Sequence, residues 1–191
     1  MKCLIFSDSH GKELYMKRAI KSHPDAEVIF FLGDGLSDFA EVSRDVKCAA
    51  CFSVRGNCDL GGSAFSSTDG KLDRINLLGK NVYFTHGDLY SVKYGTEKIE
   101  AMAEARGADI VLFGHTHIPM VKYVDPQEKY KEYQGPWEIE ENRETTEEND
   151  LYENKKPYYL FNPGSIGGSD PTYGIMTLTD TSVLFSHGRF A

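Results

Sequence analysis

Short apolar runs rich in Val, Ile, Phe and Leu recur along the chain, separated by segments whose apolar positions follow a helical spacing. The runs are Cys3 to Phe6, Val28 to Leu32, Ala49 to Val54, Val82 to Thr85 and Ile110 to Phe113. Each is short and uninterrupted, which predicts a strand covered on both faces. Between the first two lies KELYMKRAIKSH, where Leu14 and Ala19 suit a helix that Pro24 ends. Further helices are predicted near Ser37 to Ser43 and from Thr96 to Arg106, the latter stopped by Gly107. Asp73 to Gly79 leads into Val82 through Gly79-Lys80, a hairpin pattern. Strand-like sequence returns at Tyr158 to Phe161, Tyr173 to Leu178 and Ser182 to Phe185. Strands alternating with helices predict an α/β layered fold.

After Ile118 the pattern changes. Asp125 to Lys156 holds eleven acidic and five basic residues, and so carries −6 of the chain's −8. So long a run without regular periodicity is unusual inside a compact domain. Tyr130, Tyr133, Trp137, Ile139 and Tyr152 set it apart from ordinary disordered sequence, which is poor in aromatics. The expectation is a single domain over residues 1–191 with a partly ordered acidic insertion at about 125–156.

At 191 residues the chain is long enough to bury a core without staples. Its acidic balance, with a pI near 5.2, argues against a protein that grips duplex nucleic acid over its whole surface. The first apolar stretch is too short for a signal-peptide core, and no run approaches the ~18 residues of a membrane span. A cytoplasmic protein is expected, without a membrane partner, and a homo-oligomer stays open. In that compartment Cys3, Cys48, Cys51 and Cys58 are expected as thiols. Cys48 and Cys51 form a lone CxxC followed by an apolar strand-like run, which reads as ordinary buried cysteines rather than as a zinc or redox motif.

The chemistry lies in the residues just past each strand. Ile5-Phe6 runs into Asp8 and His10, Phe31-Leu32-Gly33 into Asp34, and Val54-Arg55-Gly56 into Asn57. Tyr83-Phe84-Thr85 leads to His86, and Leu112-Phe113-Gly114 to His115 and His117. Ligands bind outside the carboxyl ends of strands in open α/β sheets, so these seven side chains are expected to converge. Asp8 and His10, like His115 and His117, are two apart, which in extended chain puts both side chains on one face. Glycines adjoin the positions at Gly11, Gly33, Gly35, Gly56, Gly87 and Gly114, where the backbone can turn sharply. Singly, His10 or His86 reads as an ordinary imidazole and Asp34 as a turn residue. Together, three oxygen donors and four imidazoles exceed the needs of one ion. Two divalent ions roughly 3.5 to 4 Å apart would use them all, generate a bridging hydroxide near neutral pH and neutralise phosphate oxygens.

Asp8-Ser9-His10, Gly33-Asp34, Gly56-Asn57-Cys58-Asp59, His86-Gly87-Asp88 and Gly114-His115-Thr116-His117 together resemble the motif set of the calcineurin-like metallophosphoesterases. With Asn162-Pro163-Gly164-Ser165 near the end, the chain looks most like the small YfcE-type phosphodiesterases. The resemblance implies a four-layer αββα sandwich with metals at one edge of two packed sheets. It further implies one metal on Asp8, His10 and His117, a second on Asn57, His86 and His115, and Asp34 between them. Manganese is the first expectation for this donor set, with Fe, Zn²⁺ and Ni²⁺ as alternatives. His86, Asn57 and Asp34 would then be catalytic as well as ligating. Larger relatives carry His after the Asn, where it assists the leaving group, but here that place is Cys58.

A positioned general acid contributes typically 10²–10⁴-fold, so its lack penalises poor leaving groups. The expected substrate is therefore a small phosphodiester. Asp59 and Asp88 are expected either to orient imidazoles or to form turns, and Ser165 to shape the site floor. His23 and His187 fall outside the motif blocks and read as structural. Two other functions compete. The same fold resembles Vps29, the retromer subunit, a protein-interaction scaffold whose site has decayed, but His86 is retained here. A nuclease or nucleotide phosphatase is the other, against which stand the acidic balance and the absence of a Lys/Arg cluster near the motifs.

Overall fold

A computed structural model of the chain describes residues 1–46, 50–59, 70–128 and 155–190. Among these are ten strands and three α-helices. The first half runs β1 (Lys2–Phe6), α1 (Glu13–Ser22), β2 (Val28–Phe31), α2 (Leu36–Ser43), β3 (Ala50–Ser53), β4 (Leu72–Leu77) and β5 (Lys80–Thr85). It continues with α3 (Glu97–Ala105), β6 (Ile110–Phe113), β7 (Met120–Val124), β8 (Tyr158–Asn162), β9 (Thr172–Leu178) and β10 (Val183–Arg189). No helix among the described residues is long and apolar enough to cross a membrane.

Two five-stranded mixed sheets form, ordered β10-β9-β1-β2-β3 and β4-β5-β6-β8-β7. Alternation of side chains explains why the strands are continuous apolar runs. Cys3 and Ile5 of β1 and Val28 and Phe30 of β2 point inward, where they meet Val82 and Phe84 of β5 and Ile110 and Leu112 of β6. The intervening Leu4, Phe6, Ile29 and Phe31 face outward and are covered by Met16 and Ala19 of α1 and by Leu36, Phe39 and Val42 of α2. On the far side Tyr83, Val111 and Phe113 receive Ile99, Met102 and Ala103 of α3. Helices, sheet, sheet and helix thus make the four-layer αββα sandwich that the resemblance implied.

The three helices, the β4–β5 hairpin, β8 and β9 lie where the pattern predicts them, within a residue or two, whereas β10 runs four residues past the predicted end at Phe185, to Arg189. Two expectations change. The Ala49 to Val54 run is not a mostly buried strand, because β3 is the edge of its sheet and leaves Ala50 and Cys51 exposed. Cys51 is accordingly no core cysteine, and Cys58 is exposed as well, whereas Cys3 is buried. Cys48 lies outside the described residues. The second change is β7, a strand the sequence pattern did not indicate. It is the edge of the other sheet, and Val121, Lys122 and Tyr123 are exposed there, so its apolar signal is diluted. Most of the predicted acidic insertion, residues 129–154, lies outside the described residues.

Candidate metal centre

The seven candidate ligands all lie in the turns directly after β1, β2, β3, β5 and β6. Their backbone is unusual, for Asp8, His10, Asp34, His115 and His117 all have positive φ, between 46° and 67°. An L-residue there is strained, and such strain persists only where the surroundings enforce it. The two-residue spacing of Asp8 with His10 and of His115 with His117 therefore works through left-handed turns rather than the extended chain expected from the sequence. Gly33 is needed because a Cβ on it would run into the backbone of Gly56. Gly56 is needed in turn, since a Cβ there would strike the carboxylate of Asp34.

Hydrogen bonds from distant parts of the chain hold these turns. Asp59 accepts the backbone N–H groups of Asp34 at 2.8 Å, Gly35 at 2.8 Å, Leu36 at 2.9 Å and Gly56 at 2.9 Å. It therefore caps the start of α2 and ties the Asp34 turn to the Asn57 turn; it does not orient an imidazole. Asp88 likewise engages no imidazole hydrogen bond among the described residues and is paired with Lys71 at 2.5 Å. Asp38 accepts from Ser9 Oγ at 2.6 Å and from the Gly11 N–H at 2.7 Å, fixing the turn between Asp8 and His10. Ser165 Oγ donates to the Asp8 carbonyl at 2.8 Å, holding the backbone of that turn. Asn162 Nδ2 donates to the Gly114 carbonyl at 2.9 Å and reaches Thr116 Oγ1 at 3.1 Å, steadying the turn that carries His115 and His117.

Asp38 and Asn162 are supporting residues that the sequence pattern did not single out for this role. Asn162 had a visible signal, a sixth polar side chain at the end of an apolar run. Asp38 had none beyond lying four residues after Asp34.

The donor atoms collect in two groups. In the first, His117 Nε2 lies 3.1 Å from Asp8 Oδ1 and 3.4 Å from His10 Nε2, with His10 Nε2 and Asp8 Oδ1 3.9 Å apart. In the second, His86 Nε2 lies 3.0 Å from His115 Nδ1, 3.1 Å from Asn57 Oδ1 and 3.5 Å from Asp34 Oδ2. Asp8 ties the turns of the two groups together, since its Oδ2 accepts the backbone N–H of His115 at 3.1 Å. Each triad, Asp8-His10-His117 and Asp34-His86-His115, is compact enough to hold a metal ion.

The donor chemistry fits a cation. His86 Nδ1 donates to the Leu32 carbonyl at 2.8 Å, which leaves Nε2 of a neutral ring with its lone pair toward the cluster. Facing it are the Asn57 oxygen and the Asp34 carboxylate, both acceptors, while the Asn57 amide nitrogen turns away to Cys58 Sγ at 3.1 Å. Three converging lone pairs need either a metal ion or a proton on His86.

The titration tendencies reflect this competition. Burial opposes charge on the Asp34 carboxyl, yet hydrogen bonds from His86 and the Cys58 N–H outweigh it and hold the group well below the usual carboxylate range. Burial likewise disfavours His86⁺, but its hydrogen bond to Asp34 and the charges of Asp8 and Asp34 raise it above the ordinary histidine value. The Asp8 hydrogen bond raises His117. Burial, followed by the charges of His86 and Lys93, lowers His115. The Cys58 thiol is raised by its hydrogen bond to Asp34 and then by burial, so it keeps its proton at neutral pH.

His23 and His187 stay outside the centre, as expected. His23 meets Tyr173 Oη at 3.0 Å, and His187 Nε2 approaches the Asn162 carbonyl at 2.7 Å while stacking on Phe161.

The sequence model of the calcineurin-like phosphoesterase superfamily domain matches residues 1–182. A probable metallophosphoesterase of Bacillus subtilis, YsnB, is 34% identical over 119 residues, covering 62% of this chain. The match spans 65% of that protein, a little under two thirds of its length. Among solved structures, a conserved Streptococcus pneumoniae protein described as a predicted phosphoesterase superposes with a TM-score of 0.66 at 19% identity, covering 97% of this chain and 87% of its own. A Vps29 variant from Entamoeba histolytica superposes with a TM-score of 0.64 at 16% identity, with both chains fully covered. At those identities the two structures speak for the fold alone.

Proposed function

The chain belongs to the calcineurin-like phosphoesterase superfamily, and on that footing we propose that it is a metal-dependent phosphodiesterase that hydrolyses small phosphodiesters. The observation that carries this reading is the pair of donor triads, Asp8-His10-His117 and Asp34-His86-His115, whose turns are tied together by the backbone N–H of His115 donating to Asp8.

In this reading Asp8, His10 and His117 would hold one divalent ion, Asn57, His86 and His115 would hold a second, and Asp34 would contribute its carboxylate to the pair. Two such ions would supply a nucleophilic water at neutral pH and positive charge for the phosphoryl oxygens. The chain's own contribution is to place the donors before any ion arrives. Leu32, through its carbonyl, fixes the His86 ring with Nε2 toward the cluster. Asp59 and Asp38 hold the turns on which Asp34, Asn57, Asp8 and His10 sit. Preorganisation of this kind lowers the cost of stabilising charge as it develops.

Cys58 supports the preference for diesters. Its thiol lies beside Asn57 and is held protonated by Asp34, which makes it a weak acid where a histidine would be a strong one. A leaving group that needs little protonation, such as an aryl oxygen with an acidic conjugate acid, is then favoured over an alkoxide. The test is a substrate panel with the manganese-loaded protein, comparing an aryl phosphodiester, the matching monoester and alkyl phosphomonoesters. The diester is expected to turn over fastest, and a lead for alkyl monoesters would overturn the preference.

A scaffold reading is the main competitor, because a Vps29 covers this chain end to end. The retained His86, with Asn57 and His115 in contact with it, favours the enzyme.

A further inference from the structure

Away from the metal centre, the helix-covered face of the second sheet carries a cavity of about 360 Å³ lined by Leu72, Asp73, Arg74, Tyr83 and Arg106. Arg74 on β4 stands opposite Tyr83 on β5 in the antiparallel register, and Arg106 caps the end of α3. Both guanidinium carbons lie over the one Tyr83 ring, each 6.0 Å from its centroid. That ring is fixed, being 5% exposed, and its Oη donates to the Arg106 carbonyl at 3.5 Å.

Neither guanidinium forms an ion pair with a described carboxylate, whereas Arg189 reaches Asp170 at 3.4 Å. Two exposed cations therefore share one aromatic ring, with Asp73 on the same wall but no ion pair to either guanidinium among the described residues, in a chain of net charge −8. The ring attracts each cation through its face but uses none of the N–H donors, which stay available to an acceptor. A dianion between the two would remove their mutual repulsion and accept from both forks.

We propose that this cavity is a second anion site, which takes a small phosphomonoester. The phosphate bridges Arg74 and Arg106, and its organic substituent packs against Leu72 and Tyr83. The volume lies within the roughly 300–1,000 Å³ of ordinary ligand sites and exceeds what a bare phosphate would fill. Asp73 sets the limit on charge. Its carboxylate accepts the Arg74 backbone N–H at 2.8 Å and lines the same wall, so a second anionic group on the ligand is disfavoured. Tyr83 lies three residues before His86, about 10 Å of extended chain, and packs with the α3 face of the sheet, while Leu72 at the other end of the wall pairs with Thr85 beside His86; no metal-centre donor lines the cavity. Binding here requires neither the metals nor the proposed activity.

The test titrates phenyl phosphate and benzoate into the full chain in excess chelator, following heat and the arginine Nε–Hε resonances. Phenyl phosphate is expected to bind saturably and to shift the Arg74 and Arg106 signals, with benzoate at least about tenfold weaker. Arg74→Gln and Arg106→Gln should each weaken phenyl phosphate by about tenfold or more. Arg74→Lys should recover part of the loss, because the charge returns without the planar fork. His86→Ala should leave this binding unchanged. Thermal unfolding checks that each variant is folded. The proposal is overturned if no saturable binding is found, if benzoate binds as well, if either glutamine variant binds like the parent, or if His86→Ala abolishes binding.

Discussion

Asp59 accepts the backbone N–H of Asp34 at 2.8 Å with the same oxygen that accepts the Gly56 N–H at 2.9 Å. One carboxylate thus clamps two turns that bring Asp34 and Asn57 to the centre. Its other oxygen closes the start of α2 through Gly35 and Leu36. Asp59→Asn replaces one acceptor oxygen by a donor and leaves two of these N–H groups facing it. The expected cost is about 1–3 kcal/mol of stability. Metal affinity should fall by roughly 10- to 100-fold, as for other residues that orient ligands. Thermal unfolding of chelated protein and metal titration of folded protein measure the two effects separately.

Acidification should release metal sooner than ordinary histidines would allow. Donor histidines must be neutral to bind a cation, and His117 and His86 are both raised above the usual value in the metal-free protein. Protonation of these rings therefore begins to compete at a pH above 6.5. Calorimetric metal titrations at pH 6, 7 and 8 should show affinity rising with pH and protons released on binding. Affinity that is flat across this range contradicts the assignment of these two residues.

The same shifts set the pH dependence of stability in chelated protein. The raised pKa values of His117 and His86 give stability that is fully present below 6.5 and lost as pH rises through the folded values. The depressed Asp34 gives stability that is present above 3.8 and lost as pH falls through its lower folded value. His115 is shifted downward by burial and by His86, so its contribution runs the other way and blunts the histidine slope. Unfolding of chelated protein should show an optimum between about pH 4 and 6.5 from these groups. The stabilisation given by added metal, read as the loaded-minus-chelated difference in Tm, should grow from pH 6 to pH 8.

Cys58→His tests the part assigned to the leaving group. A histidine at this place would supply a stronger proton donor, and alkyl esters, whose leaving groups need one, should gain the most. An increase of at least about tenfold for an alkyl phosphomonoester, with little change for an aryl diester, is expected. Cys58→Ser should change neither substrate by more than a few-fold. Equal effects of Cys58→His on both substrates would detach Cys58 from proton delivery.

Much of this arrangement is legible in the sequence, for identifiable reasons. β1, β2, β5 and β6 are apolar on consecutive residues because one face packs against the other sheet and the other beneath helices. The polar residue that ends each such run is then conspicuous, and that is how Asp8, Asp34, His86 and His115 stand out. β7 is hidden because an edge strand with Lys122 and Tyr123 exposed has little apolar periodicity. β3 is misread for the same reason, having an apolar sequence on an exposed edge.

Asp38 and Asp59 are harder, since their partners are backbone N–H groups and a hydroxyl 3 to 29 residues away and leave no side-chain pattern to detect. The left-handed backbone at five ligand positions is equally invisible, because none of them is a glycine. It arises from tertiary contacts rather than from local preference.

The central claim is that the two donor triads hold metals that do the chemistry. The most direct measurement is the metal content of purified protein together with hydrolysis of an aryl phosphodiester, before and after chelation, in the parent chain and in His86→Ala. Two equivalents of divalent metal are expected in the loaded parent, with turnover lost on chelation and restored by manganese. His86→Ala should lower turnover by at least ~10²-fold, because it removes a donor from the site on which both nucleophile and charge neutralisation depend. Turnover that survives both chelation and His86→Ala would contradict the account.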